Sequence, residues 1–506
     1  MLSEKLRQAR AFEEQYMPFL PPEERPAFHV TGGIGWINDP NGFSCYRGEY
    51  HLFYQYHPYS TSWGPMHWGH VKTDDFIHWE RLPIALVPDE DYDGDGCFSG
   101  SAVELPDGRQ LLMYTGVHRV RQEDGAVKEY QTQCLAAGDG VNYEKVAGNP
   151  VLAGPDLPEG GSELDFRDPK IWREDGMFYA VVGNRTPDGS GAILLYESED
   201  GFHWTYAATL DASRNQYGRM WECPDFFSLD GKQVLLVSPQ EMTPVGLEFH
   251  AGNGTVCLLG RYDRASHQFT RQQVQAVDYG IDFYAPQTLL TPDGRRIMIA
   301  WMQNWDTSGC KPQGTRWFGQ MTLPRELHVR DGRLIQNPVR ELEHIRTGRV
   351  AYRNVMLHGE SNLYGVSGRM IDLTVTVRPA SPSSLYQCFK LHLAKDGEHE
   401  TIIRYKPECS TVRVDRTRGG FPHDIVHVRD FLAAQRQGEI KLRVILDRYS
   451  LELFVNDGEQ AASFVLYTPV SASSISFETD GAVLLDVEKY DLIAYEGCER
   501  DGTETL

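Results

Sequence analysis

Three acidic residues sit in short motifs that can hold a carboxylate rigidly at the start of a strand. They are Asp39 in Trp36-Ile37-Asn38-Asp39-Pro40-Asn41-Gly42, Asp168 in Arg167-Asp168-Pro169, and Glu222 in Trp221-Glu222-Cys223-Pro224. Proline fixes φ, Asx side chains bond nearby backbone, and glycine accepts positive φ, so such segments are turn chemistry feeding a strand. Each acid precedes a turn glycine by nearly the same count: nine residues before Gly48, eight before Gly176 and nine before Gly231. A shared register brings the three to one place, where like charges raise at least one pKa. Two chemistries give a reason for that cost, a metal site or the hydrolysis of a glycosidic bond. The second needs one ionised carboxylate and one protonated carboxyl, about 5–5.5 Å apart in retaining enzymes. Trp36, Trp63, Phe98 and Trp301 favour a sugar, because a bare ion asks for more oxygen or imidazole ligands.

The elements that must position these acids form a repeat. A glycine turn, usually Asp-Gly, precedes an apolar or alternating run five times, at Gly48, Gly108, Gly176, Gly231 and Gly294. Asp-Gly between two such runs is a hairpin signal. The spacing of 55 to 68 residues accommodates a four-stranded propeller blade of about 40–50 residues plus loops. A second repeat, Asp75–Trp79, Asp139–Tyr143 and Asp200–Trp204, places an Asp, a turn and an aromatic after three of the hairpins. The prediction is an all-β chain: a helix and Pro-rich lead-in over 1–30, a five-bladed β-propeller over 31–345, and a C-terminal β-sandwich over 350–495. The sandwich is read from strict alternation at Ile371, Leu373, Val375 and Val377 and at Ile440, Leu442, Val444 and Leu446. Because the first strand of each propeller blade lines the central channel, the acids of blades 1, 3 and 4 converge at one mouth. Blade 2 brings Phe98-Ser99-Gly100 there and blade 5 Phe283-Tyr284-Ala285.

Composition bounds the partners. A formal net charge of −22 over 506 residues argues against nucleic acid and anionic membrane, which call for a basic face. No apolar run is long enough to span a bilayer. The N-terminus reads as a charged amphipathic helix without a signal-peptide core. Nine scattered cysteines with no Cys-x-x-Cys pair fit reduced thiols in a cytoplasmic protein.

Taken in order, the three acid motifs with Phe98-Ser99-Gly100-Ser101 and Thr322-Leu323-Pro324-Arg325-Glu326-Leu327 resemble glycoside hydrolase family 32, the invertase and β-fructosidase family. The resemblance runs through the whole chain, to Leu446-Asp447-Arg448 and Leu453-Phe454-Val455-Asn456. It implies the same propeller and sandwich, and a retaining mechanism with no cofactor and no metal. Asp39 is then the nucleophile that attacks C2 of a fructosyl unit. Glu222 is the acid that protonates the leaving oxygen and later the base, with its pKa raised by neighbouring carboxylates. Asp168 grips fructose hydroxyls and stabilises the transition state. Asn38, Gln55, Trp63, Phe98, Ser99 and Arg167 match positions that line the family's fructose pocket; Trp36 and Trp301 complete the expected wall.

The expected substrates are small carbohydrates, namely sucrose and short fructo-oligosaccharides. Sucrose 6-phosphate is the alternative, but Trp301-Met302-Gln303-Asn304-Trp305-Asp306 offers no Arg or Lys for a phosphate; Lys311 and Arg316 lie just beyond. A non-catalytic fructan-binding protein need not retain all three acids, and a fructosyltransferase would share them. His67-Trp68-Gly69-His70 resembles half a metal site, yet a strand puts the two histidines on opposite faces. Cys223 is expected to pack beneath the acids, not to act as a nucleophile.

Overall fold

The computed structural model describes residues 2–493 apart from 313, 382–384 and 422–423. Five four-stranded antiparallel units begin at Gly35–Tyr46, Gly96–Glu104, Arg167–Glu174, Trp221–Leu229 and Tyr284–Leu290. These five first strands pack on one another in a closed ring, the fifth against the first. The chain is therefore a five-bladed β-propeller. The ring is also closed by backbone hydrogen bonds, since Trp317–Phe318 returns from blade 5 to pair in parallel with Gly35–Trp36.

All five turn glycines join the first strand of a blade to the second, with φ between 76° and 87° and open space where a Cβ would stand. The glycine is needed for its dihedral, not for room. In blades 1, 3 and 4 the preceding Arg47, Asp175 and Asp230 also have φ near 50°, the two-residue hairpin geometry that matches strand twist. The second repeat forms the link between third and fourth strands. Asp75 accepts from the backbone N–H of Ile77 and His78, Asp139 from Val141 and Asn142, and Asp200 from Phe202 and His203, all at 2.8–3.0 Å. Apolar side chains interleave between adjacent blades, such as Phe53 and Trp68 with Leu112 and Tyr114.

After the propeller, ten strands from Arg346 to Leu492 form one curled, sandwich-like sheet. Its spine is the 19-residue strand Ser474–Leu492, which pairs first with Cys388–Lys395 and then with Ile371–Pro379. The chain thereby passes from one layer to the other. The alternating residues at 371–377 and 440–446 are fully buried between the layers, facing Phe389, Leu391 and Ile403. The expected boundary at 495 extends two positions beyond the described residues. No helix among the described residues is long and apolar enough to cross a membrane.

The sandwich-like sheet is fastened to the propeller by charge as well as by packing. Strand Ser450–Val455 is buried on both faces. Its Glu452 takes Arg325 of blade 5 and the ring of His29 in the lead-in at 2.9 Å, while Asp447 takes the other ring nitrogen of His29 at 2.7 Å. All four side chains are closed to solvent.

Candidate active site

Every first strand carries an irregularity at the end away from its hairpin turn. In blade 1, Asn38 and Asp39 together oppose Gln55; in blade 2, Ser99 is the extra residue. In blades 3, 4 and 5 the pairs Asp168-Pro169, Cys223-Pro224 and Ala285-Pro286 oppose a single residue each. Proline cannot donate to the ladder, and a bulge re-aims the side chains beside it. Asp168, Cys223 and Ala285 adopt φ of 66°, 47° and 52°, a backbone that non-glycine residues enter only where the surroundings enforce it. The ruler of turn glycines holds to within one residue. Asp39 and Asp168 lie in their bulges, whereas Glu222 stands one position before its own, level with Arg167 and Tyr284.

That offset sorts the site into two tiers. In the lower tier, Ser99 Oγ donates to Asp39 Oδ2 at 2.8 Å, and the Cys223 thiol lies 3.7 Å from the same oxygen. The backbone N–H of Cys223 donates to Asp168 Oδ2 at 3.0 Å. Asp39 Oδ1 is buried and meets no hydrogen-bond partner of good geometry among the described residues, with the Asn38 side chain beside the carboxyl. In the upper tier, Glu222 Oε1 accepts from Arg167 Nε at 3.0 Å, and Oε2 accepts from Tyr284 OH at 2.6 Å and Gln240 Nε2 at 2.9 Å. Arg167 in turn reaches Gln131 and lies 4.0 Å from Asp168.

Burial, and then the charge of Glu222, push Asp39 up to about 6 from the ordinary 3.8. Asp168 is raised by the same two causes, with Arg167 opposing them. The raised pKa in this cluster thus belongs to Asp39 and Asp168, two interacting carboxyls. The sequence expectation assigned it to Glu222 through its neighbours; in the structure the neighbours' charges act visibly on Asp39 and Asp168. Burial and the three carboxylates drive the Cys223 thiol well above its usual range, so it stays protonated and packs beneath the acids.

The aromatic wall has two layers. Trp63 is 42 % exposed and stands edge-on to Phe98 with ring centroids 6.0 Å apart. Phe98 is fixed from behind, its carbonyl accepting from Trp68 Nε1 at 3.1 Å. Trp36 and Trp301 are 2 % and 0 % exposed and belong to the cluster behind this wall. Phe318, stacked 4.6 Å from Trp36, and Trp305 pack against them. Trp36 acts through its indole N–H, which donates to Asn38 Oδ1 at 2.8 Å and sets the residue next to Asp39. Gln55, opposite the blade 1 bulge, donates to the Cys97 carbonyl.

Gln240 was not foreseen from the sequence, and Tyr284 was placed at the mouth by register without a role of its own. The signal for Tyr284 was present: Tyr284-Ala285-Pro286 repeats the spacing of Glu222-Cys223-Pro224. His67 and His70 bond separately, to the Pro65 carbonyl and to His51. Among the described residues no group of three or more His, Cys, Asp or Glu is arranged to hold a metal ion.

Two family models match the chain, the glycosyl hydrolases family 32 N-terminal domain over residues 29–338 and the family 32 C-terminal domain over 341–492. A sucrose-6-phosphate hydrolase of Zymomonas mobilis is 38 % identical over 447 residues, covering 86 % of this chain and 84 % of that protein. A raffinose invertase of Escherichia coli is 37 % identical over 460 residues, 89 % of this chain and 91 % of the relative. Among solved structures, a Bombyx mori GH32 beta-fructofuranosidase superimposes with a TM-score of 0.83 at 33 % identity, covering 97 % of this chain and 98 % of the other.

Proposed function

The chain belongs to glycosyl hydrolase family 32, and from that premise we propose that it is a retaining β-fructofuranosidase. It cleaves the terminal β-D-fructofuranosyl bond of sucrose and short fructo-oligosaccharides. The observation that carries this reading is the division of labour among the three acids. Asp39 presents an oxygen that no described residue engages in good hydrogen-bond geometry, as a nucleophile needs. Glu222 is held on both oxygens by side chains from three blades, as a group that must give and take a proton in one orientation needs. In the proposed sequence Asp39 attacks C2 while Glu222 protonates the leaving oxygen; Glu222 then activates water to release fructose. Asp168, oriented by the Cys223 N–H, binds fructose hydroxyls. Trp63 and Phe98 supply the exposed aromatic wall, and Asn38, Gln55, Ser99 and Arg167 fix the shape of the fructose pocket.

Hydrolysis of sucrose 6-phosphate is the second reading, favoured by the names of several relatives. The cations near the site are already engaged. Lys311 donates to the Thr61 carbonyl and Arg316 to the Phe19 carbonyl, and Asp306 accepts from Asn253. Lys311 is the candidate clamp, its ammonium lying 5.2 Å over Phe318, which stacks on Trp36. Product analysis with sucrose, sucrose 6-phosphate, kestose and inulin in parallel tests the assignment. Release of fructose from sucrose supports it; no release from any of the four would leave a binding protein. The eight described cysteines are all free thiols, which suits the reducing cytoplasm we assign to the enzyme.

A further inference from the structure

At the opposite end of the channel from the carboxylates, the same five first strands line a second cavity of about 570 Å3. Its charges do not cancel. Asp225 of blade 4 is taken by Lys170 of blade 3 at 3.2 Å and by the backbone N–H of Thr288 at 2.6 Å. Lys170 also donates to the Thr288 carbonyl at 2.6 Å. Arg296, on the second strand of blade 5, is left over. Its guanidinium lies 4.6 Å over the Phe227 ring, reaches only Thr288 Oγ1 at 3.4 Å, and keeps a buried Nε without a partner. It makes no ion pair among the described residues. In the interior of the chamber Arg296 therefore has no ion-pair partner of its own, with Asp225 the nearest charge to act on it, while Glu104, Arg173, Glu174 and Arg264 stand at the rim.

We propose that this distal chamber is a binding site for a small phosphate-bearing ligand, with Arg296 as its principal donor and Lys170 as the second cation. A buried guanidinium offers paired N–H donors that fit phosphate oxygens. The volume lies within the range of small-molecule sites, about 300–1,000 Å3. Trp172 and Tyr262, both partly exposed on the walls, give a sugar ring a surface to lie on, so both inorganic phosphate and a sugar phosphate carry the recognised group. Burial lowers Arg296 and Lys170 from their usual values, a cost that an anion between them would relieve. The chamber opens at the end of the channel away from the acids, so its occupant does not compete for the fructose pocket.

The test is calorimetric binding of inorganic phosphate and of fructose 6-phosphate to the full chain, in saturating fructose to fill the catalytic pocket. Wild type, Arg296→Gln and Arg296→Lys are compared. The expected result is saturable binding in wild type, at least tenfold weaker in Arg296→Gln and largely kept in Arg296→Lys. Sucrose kcat/KM without phosphate should stay within twofold in both variants, which verifies their fold. Tighter binding of the sugar phosphate than of phosphate assigns the chamber to a sugar ligand; equal binding assigns it to the inorganic anion. No saturable binding, equal affinity in Arg296→Gln, or displacement by fructose overturns the proposal.

Discussion

The Tyr284 hydroxyl of blade 5 donates to Glu222 Oε2 of blade 4 at 2.6 Å, and both residues stand one position before an X-Pro bulge. The contact holds the carboxyl plane against Gln240 and Arg167. Tyr284→Phe should lower kcat/KM on sucrose by about 10- to 100-fold, the equivalent of a hydrogen bond to a charged group at about 1.5–3 kcal/mol. The loss should fall on kcat more than on KM. Unchanged kinetics would mean that Gln240 and Arg167 alone orient Glu222.

Glu222→Gln removes leaving-group protonation, so substrates with good leaving groups should suffer least. Activity on sucrose and on an activated aryl β-fructofuranoside is compared between variant and wild type. A much smaller loss is expected on the aryl substrate. Equal losses on both substrates would count against Glu222 as the acid.

A 6-phosphate carries nearly two negative charges at pH 7 to a pocket that already holds three carboxyls. Like charges a few ångströms apart cost on the order of 1 kcal/mol or more at a partly wet site. With Lys311 and Arg316 engaged by backbone carbonyls, kcat/KM for sucrose should equal or exceed that for sucrose 6-phosphate. Both are measured at low and moderate salt. A strong preference for the phosphorylated sugar that weakens with salt would identify a cationic clamp, with Lys311→Ala the variant to examine.

His29, enclosed between Asp447 and Glu452, has its pKa raised to about 9; burial opposes this and the hydrogen bonds to Asp447 and Glu452 prevail. A histidine raised in the folded state stabilises fully below its unfolded value near 6.5, and that contribution is lost as pH rises through about 9. The size is about 3 kcal/mol by linkage. His29→Gln should therefore lower the denaturant midpoint at pH 6 and narrow its difference from wild type at pH 9.5. A gap between the two proteins that does not change with pH would remove the charge from this explanation.

Much of this architecture is legible in the residues themselves. Gly48, Gly108, Gly176, Gly231 and Gly294 announce five hairpins because a positive φ restricts the residue type, and strict alternation at 371–377 announces a half-buried strand. Asp39 and Asp168 could be brought together by counting back from those turns. The offset of Glu222 could not, since a bulge changes the count by one without changing the composition. The depth of Trp36 and Trp301 was equally hidden: an indole suits a sugar-facing wall and the cluster behind it alike, and it is the packing of Phe318 and Trp305 that shows how deep both lie. The leftover charge on Arg296 depends on Lys170 and Thr288 sharing Asp225 across three blades.

The central claim is that Asp39 forms the covalent bond. Its carboxyl, raised to about 6, binds a proton more tightly in the folded state. Stability therefore falls as pH climbs from 3.8 through 6, and the deficit persists above that window. Asp39→Asn should relieve it and melt no lower than wild type at pH 7. The direct measurement is kcat of this variant on sucrose. A loss on the order of 10^4-fold in a folded protein is expected if Asp39 is the nucleophile; turnover within about tenfold of wild type would rule that role out.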